Sequence, residues 1–290
     1  MSSTNSAAFI DAIRAHPLAV KAAPMPPSPS SNQVTIKAHS IAINGIDCIV
    51  QQTSIIVPEN AYPFILGNDI AGEVIAVGSS VSKVKPGDRV IASAVMLFQK
   101  DTLALDFPRV NPVPNGKLVL VWGGGSAVGS NGIQMLKAAG YEIAAVAGAS
   151  NQQYFRCGRR DYQPPQQHPV RRGFLCDYAP ETIQACAQIA SQLGDSPKNK
   201  FVATSLAHSM KFEGEVPEGV TIGYCWGDTL KHNEVGPAIW DRWLTPVLAN
   251  GSMKCKPEPK VVGKGLESIQ EAIDLQFRGV SAKKLVVEVV

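Results

Sequence analysis

KLVLVWGGGSAVGSNGIQMLKAAGYEIAAVA, residues Lys117–Ala147, decides the fold. Leu118–Trp122 is an unbroken apolar run, as a strand buried on both faces requires. Gly123-Gly124-Gly125-Ser126-Ala127-Val128-Gly129-Ser130 follows it. The pattern then predicts a helix over Ser130–Ala139, closed by Gly140 at the first position past its end, and a second buried strand over Tyr141–Ala147. Strand, glycine loop, helix and strand in that order, within about 30 residues, form the fingerprint of a dinucleotide-binding unit. A pyrophosphate must approach the loop backbone closely, and a helix start offers unpaired N–H groups with roughly half a positive charge. Gly129 lets the helix lie close to the strand. The literal G-x-G-x-x-G is not met: aligned on Gly129, its middle position is Ser126, which is still small. A tight turn with no ligand is the plainer alternative for the same residues.

The end of the second strand bears on which cofactor fits. Enzymes that take NAD usually place an acid there to hold the ribose hydroxyls. Here the chain reads Ala147-Gly148-Ala149-Ser150-Asn151, with no acid. A carboxylate would repel a 2′-phosphate, whereas Ser150 and Asn151 can donate to one. The expectation is NADPH, against the alternative of an ordinary polar loop.

Downstream, alternation continues. Helices are expected over Glu181–Leu193, Glu234–Leu248 and Leu266–Arg278, and strands over Phe201–Leu206, Val220–Trp226 and Lys284–Val290. Such alternation argues a parallel α/β sheet. Tyr154–Pro180 breaks the pattern: it carries prolines 164, 165 and 169 and clustered arginines, and shows neither helical nor strand period. Upstream, residues 1–94 read as strands and turns. Val34–Ile43, Ile70–Val77 and Arg89–Ala92 are the strands, Pro24–Asn32 is a turn-rich connector, and Lys85-Pro86-Gly87-Asp88 is a tight turn.

The chain has 290 residues, 45% of them apolar and 18% charged, with a net charge of +3. That balance gives ample core and predicts neither nucleic-acid binding nor a membrane role. No apolar run reaches the roughly 20 residues needed to span a bilayer. The beginning lacks the basic and apolar regions of a secretory signal, so a cytoplasmic protein is expected. The six cysteines form no Cys-x-x-Cys pair and are expected to be free thiols, mostly buried.

Several motifs together resemble the medium-chain dehydrogenase/reductase superfamily, and within it the zinc-free fungal CipB-like oxidoreductases, trans-acting enoyl reductases and quinone reductases. They are Ile41–Asp47 (IAINGID), Gly67–Val74 (GNDIAGEV), Val84–Val90 (VKPGDRV), Leu97–Lys100 (LFQK), Val121–Gly124, Asn233–Gly236 (NEVG), Val262–Leu266 (VGKGL) and Gly279–Leu285 (GVSAKKL). The resemblance implies a Rossmann doubly wound parallel sheet plus a GroES-like β domain, truncated here. The GroES-like domain would take residues 1–94 and return at 251–290, and the cofactor domain residues 95–250, irregular at 154–180. It further implies that Asn44, Gly45, Ile46 and Asp47 touch the nicotinamide side, Asn44 and Asp47 being the catalytic candidates. Gly123–Ser130 would hold the pyrophosphate, Ser150 would sit at the adenosine phosphate, and Val280 and Ser281 would close over the cofactor. Ser93, Ala94, Val95, Met96, Leu97, Phe98 and Gln99, with Thr229, Leu230, Lys231, His232 and Asn233, would face substrate. Asp47 as a plain turn residue is the alternative to its site role, and Lys283 and Lys284 are expected to be solvated residues before a strand.

Zinc members of the superfamily carry Cys where this chain has Asn44, and His-Glu where it has Asn68-Asp69. Catalytic zinc needs three His, Cys or carboxylate ligands, so no metal is expected. No tyrosine has a lysine four residues on, which argues against a short-chain dehydrogenase. Relative to the family pattern, a segment between Val90–Ala92 and Leu97–Lys100 is missing. Two functions remain open: a zinc-independent NADPH reductase of activated double bonds in small or carrier-bound unsaturated carbonyl compounds, monomeric or homodimeric, or a homologue that has lost catalysis and at most binds NADPH.

Overall fold

In the computed structural model of the chain, residues 5–54, 57–92, 103, 105–148, 174–176, 179–192, 200–205, 211–224 and 233–290 are described. The chain divides into two compact units: Met1–Ser93 with Glu258–Val290, and Ala94–Pro257.

The second unit is built on strands β7 (Leu118–Trp122), β8 (Glu142–Val146), β9 (Phe174–Cys176), β10 (Phe201–Thr204) and β11 (Thr221–Tyr224). All pair in parallel, in the spatial order β11-β10-β9-β7-β8. The chain leaves β7 for β8 on one side and comes back to β9 on the other. That makes the β7/β9 boundary the point where strand order reverses, the position at which open parallel sheets bind ligands. The residues of β7 alternate between two cores. Val119 and Val121 pack with Ile133 and Leu136 of helix α2 (Ala127–Ala138) and with Val235, Ile239, Trp243 and Val247. Leu120 and Trp122 pack toward Ile183, Cys186 and Ala190 of helix α3 (Pro180–Ser191). Helices therefore cover both faces, which is why the strand reads as one continuous apolar run.

The first unit holds a five-stranded sheet of β3 (Val34–Ala42), β5 (Asp69–Val77), β6 (Arg89–Ala92), β12 (Glu258–Lys264) and β13 (Lys283–Glu288), in the order β12-β13-β3-β5-β6. Only β12 and β13 are parallel. A smaller antiparallel sheet joins β2 (Ala19–Ala23), β1 (Asn5–Ile10) and β4 (Phe64–Ile65). Helices α1 (Gly45–Thr53) and α5 (Ser268–Phe277) pack on the core that Ile10, Ile43, Cys48, Ala272, Ile273, Leu285 and Val287 form.

Several expectations are corrected. Residues 1–94 are not only strands and turns, because α1 is a helix there. Its Ile46, Ile49 and Val50 favour strand locally, but Asn44 and Asp47 at its start set a helix. The helix after the glycine loop begins at Ala127, not Ser130, with Ser126 as its cap. Tyr154–Pro180 is not wholly without structure: Phe174–Cys176 is the middle strand of the parallel sheet, and α3 starts at Pro180. Residues 154–173, 177 and 178 of that stretch, with Ser93–Gln99, Ser150, Asn151 and Thr229–His232, lie outside the described residues. The helix expected over Glu234–Leu248 is wound more widely than an α-helix over Pro237–Leu244, then continues as α4 (Thr245–Ala249). Pro246 has no N–H to give to the turn before it, and Ile239, Trp243 and Val247 still share one buried face. Strands β1, β2, β4 and β12 were not expected. Among the described cysteines, Cys48 and Cys186 are buried free thiols and Cys255 is exposed.

Candidate functional site

The first candidate locus is the turn between β7 and α2. Gly123 takes a positive φ of 82°, and the N–H groups of Gly123 and Gly124 both donate to Val146 O, at 3.1 and 3.0 Å. The loop is thus tied to the end of β8. Ser126 caps the helix: its Oγ accepts from Gly129 N at 3.0 Å, and its carbonyl accepts from Ser130 N at 2.9 Å. Ala127 and Val128 supply the first two N–H groups of α2, which no intrahelical carbonyl can reach. A Cβ at Gly129 would stand 2.3 Å from Gly123 O and 2.9 Å from Gly124 Cα. The helix therefore rests on the loop backbone at a distance only glycine permits. The sequence reading had Gly129 against the strand; the contact is with the loop that follows the strand. Backbone N–H donors, a helix dipole and a loop held from both sides suit a pyrophosphate.

The second locus lies where β3, β5 and β13 end together. Their register pairs Ala42 with both Asp69 and Val286, which brings Asn44, Asp47, Asn68, Asp69 and Lys284 to one place. Asn44 N donates to Asp47 Oδ2 at 2.8 Å, the reach-back of a capping box. Asn68 Nδ2 donates to Asp47 Oδ1 at 3.3 Å. Asn44 Nδ2 donates to Asp69 Oδ2 at 3.0 Å, and Lys284 Nζ donates to Asn44 Oδ1. Lys284 Nζ also stands 3.8 Å from Asp69 Oδ2.

Asp47 is not a loose turn residue: it is 1% exposed, with both carboxylate oxygens engaged. Lys284 is not a solvated strand end either, since its side chain is only 23% exposed and faces this cluster. That correction was out of reach of strand alternation, because the partners come from β3, β5 and α1. Burial pushes the Asp47 carboxyl up from 3.8 to about 6, against the opposing pull of the Asn44 N–H, Lys284 and Asn68. Burial also draws the Lys284 ammonium below its ordinary value, while Asp69 and Asp47 pull it back up.

The Asp47 shift has a measurable consequence. Between 3.8 and about 6 the folded chain keeps a proton that the unfolded chain releases. This residue therefore favours the folded state at low pH and loses that effect as pH rises through the window, ending at a cost of about 3 kcal/mol near neutrality. Asp47→Asn keeps an oxygen for the Asn44 N–H but cannot ionise. Its urea midpoint is expected to lose this decline relative to the parent chain, and parallel profiles for the two would show that Asp47 does not titrate in the window.

A third feature is a cavity of about 390 Å³ in the first unit, lined by Val280, Ser281, Lys260, Arg278, Lys283 and Leu285 among others. Val280 and Ser281 thus border open volume beside three cationic side chains. Asn233 accepts from Val235 N through Oδ1 at 3.0 Å, at the start of the widely wound helix.

The donors in the β3–β5–β13 cluster do not fit a catalytic zinc. They comprise two amides, two carboxylates already hydrogen-bonded, and an ammonium that would repel a cation. Among the described residues no group of three or more His, Cys, Asp or Glu side chains is placed to hold a metal.

Comparison with known proteins agrees with this frame. Residues 30–133 match the alcohol dehydrogenase GroES-like domain. The chain is 34% identical to the zinc-binding alcohol dehydrogenase domain-containing protein cipB of Emericella nidulans, covering 98% of each chain. It is 29% identical to the trans-enoyl reductase himH of Aspergillus japonicus, covering 89% of this chain and 90% of that one. Among solved structures, an alcohol dehydrogenase superfamily protein from Novosphingobium aromaticivorans superposes with a TM-score of 0.67 at 19% identity, over 98% of this chain and 99% of that one. A Rossmann sheet with a glycine cradle, joined in one chain to a GroES-like unit, defines a nicotinamide-cofactor oxidoreductase fold. The chain belongs to the medium-chain dehydrogenase/reductase superfamily, in the branch of the fungal CipB-like proteins and trans-enoyl reductases. The alignment with cipB runs over 310 positions, more than the 290 of this chain, so that relative carries residues that this chain lacks.

Proposed function

We propose that this protein is a zinc-independent, NADPH-dependent reductase of activated carbon–carbon double bonds: enones, enoyl thioesters or quinones. The observation that carries the reading is the β3–β5–β13 cluster. The positions where zinc members hold a metal are filled by Asn44, Asn68 and Asp69 in a closed hydrogen-bonded set with Lys284. Alcohol oxidation in this fold relies on a metal to polarise oxygen. Reduction of a double bond already polarised by a carbonyl needs chiefly position and a site for the developing charge. A trans-enoyl reductase among the relatives supports this choice.

NADPH supplies the hydride when bound. Around it, Gly123–Ser130 would hold the pyrophosphate through the N–H groups of Ala127 and Val128. The acid-free run Gly148-Ala149-Ser150-Asn151 supports NADPH over NADH. Val280 and Ser281, beside Lys260, Arg278 and Lys283, present a cationic wall suited to a phosphorylated ligand. Asp47 fixes the start of α1 and the Asn44 backbone.

The test is oxidation of NADPH and of NADH against a panel of enones, enoyl thioesters and quinones, with and without a metal chelator. NADPH consumption unaffected by the chelator is the expected result. Equal use of the two cofactors would remove the NADPH preference, and loss of activity with the chelator would remove the zinc-independent reading. The residues lacking relative to cipB favour a second reading, a cofactor-binding homologue without turnover. In that case NADPH at about 100 times its dissociation constant adds roughly 2.7 kcal/mol of stability, yet no substrate consumes it.

A further inference from the structure

An asparagine amide is most open to attack by the next backbone nitrogen when glycine follows, because glycine puts no Cβ in the way. The chain has four such pairs: Asn44-Gly45, Asn115-Gly116, Asn131-Gly132 and Asn250-Gly251. All four lie among the described residues, and the fold treats them differently. We propose that Asn250 is a site of spontaneous deamidation in the folded protein, and that its conversion to isoaspartate releases the Met253–Lys254 backbone from α4 and α2. Neither step depends on the reductase reading.

Three of the four amides are held. Asn44 Nδ2 donates to Asp69 Oδ2 at 3.0 Å, and its Oδ1 accepts from Lys284 Nζ. Asn115 Nδ2 donates to Asp106 Oδ2 and Ala139 O, both at 3.3 Å, and its Oδ1 accepts from Lys117 N at 3.0 Å. Asn131 Nδ2 donates to Ala127 O and Lys256 O at 3.0 and 2.9 Å, and Gly132 is buried inside α2. Asn250 differs on every count. It is exposed, just past the end of α4. Its Oδ1 accepts from Ser252 N at 2.9 Å, but among the described residues its Nδ2 has no partner. Gly251 takes a φ of 74° with open space where a Cβ would stand, and its N–H reaches Leu248 O at only 3.3 Å. Attacking nitrogen and leaving amide are therefore both loosely held, and the backbone between them is free to turn.

The chemistry needs only water. Gly251 N gives up its proton and attacks Asn250 Cγ. The new C–N bond closes a five-membered imide as Nδ2 leaves, carrying that proton, as ammonia. Water then opens the ring at one of its two carbonyl carbons, and Gly251 N regains a proton. Opening at Cγ leaves aspartate. Opening at the main-chain carbon leaves isoaspartate, whose backbone runs through the former side chain and is one carbon longer. One water is consumed, one ammonia is released, and nothing is oxidised or reduced.

The extra carbon falls at a sensitive place. The Asn250–Ser252 turn brings Met253 N to Val247 O of α4 at 3.1 Å. It also brings Lys254 to Gln134 of α2, which accepts from Lys254 N at 2.8 Å and donates to Lys254 O at 3.0 Å. Lengthening the turn by about 1.5 Å, one C–C bond, carries these pairs beyond hydrogen-bond distance.

The experiment ages the full chain in mildly alkaline buffer, once folded and once in urea, and follows all four pairs by peptide mapping with mass spectrometry. In urea the four are expected to convert at similar rates. In the folded chain Asn250 is expected to convert on the order of tenfold faster than the others, which must first break hydrogen bonds. Asn250→Gln, whose amide carbon stands one bond further from Gly251 N, is expected to stop the change. The isoaspartate-containing fraction is then separated and its amide hydrogen exchange compared with that of the fresh chain. Met253 and Lys254 are expected to lose protection, while Asn250→Asp, which carries the charge without the extra carbon, keeps it. Conversion at Asn44, Asn115 or Asn131 in the folded chain as fast as at Asn250 overturns the proposal. So does unchanged protection of Met253 and Lys254 in the isoaspartate fraction, an equal loss in Asn250→Asp, or a loss spread over the whole chain.

Discussion

Replacing Gly129 by alanine is expected to weaken cofactor binding strongly. The added methyl would lie 2.3 Å from Gly123 O and 2.9 Å from both Gly123 C and Gly124 Cα, all of them backbone. No side chain can swing aside to relieve this. Either α2 lifts from the loop or the loop moves off the Val146 carbonyl that ties it down. Overpacking of this kind costs about 1–3 kcal/mol in stability. The loss in affinity should be larger in effect, because the displaced atoms belong to the loop proposed to hold the pyrophosphate. A weakening on the order of 100-fold corresponds to about 3 kcal/mol. Titration of NADPH fluorescence measures it. Binding as tight as that of the parent chain would show that the loop relaxes freely and that the close approach has no bearing on the cofactor.

The second large effect is expected at Leu136. Its side chain is fully buried between α2 and the β7 face that carries Val119 and Val121. Leu136→Ala deletes the central contact of the helix that begins at the cradle, and such truncations cost about 2–5 kcal/mol. Urea unfolding should show a lower midpoint with an unchanged slope, the mark of lost stability rather than altered compactness. Leu136 lies more than two turns from the loop, so cofactor affinity in the folded fraction should hold. The two substitutions thus separate the helix as a scaffold from its start as a binding surface. A midpoint within experimental error of the parent would mean that the core closes over the gap.

The β7–α2–β8 unit was plain in the amino-acid sequence because every signal in it is local. Leu118–Trp122 is apolar throughout, Gly140 sits past the helix end, and the small residues Gly123–Gly129 fall between. The error of three residues at the start of α2 came from reading Ala127–Gly129 as loop, although Ser126, a good cap, stands directly before them. Helix α1 was obscured by its own β-branched residues, and the capping pair Asn44 and Asp47 was the signal that would have found it. β9 could not be seen from the sequence, because Phe174–Cys176 is a strand by virtue of β7 and β10 on either side of it. The Asn44–Asp47–Asp69–Lys284 cluster follows the same logic. Its members are up to 240 positions apart, and only the register of β3 against β5 and β13 unites them. Motif likeness pointed to Asn44 and Asp47, but the lysine that completes the set had no local mark.

The arrangement of the first unit also bears on how the chain is made. Its large sheet places β13 beside β3, with β12 beyond, so the strands synthesised first await a neighbour from the last part of the chain. Until Lys283–Glu288 leaves the ribosome, β3 has one open edge, and Leu285 and Val287, both fully buried in the finished protein, are missing from its core. Among the described residues, the strands of the cofactor unit end at Tyr224, so its sheet can assemble first. A nascent chain halted before β12 would thus carry a formed glycine loop and an unfinished first unit, without the lysine that closes the polar cluster.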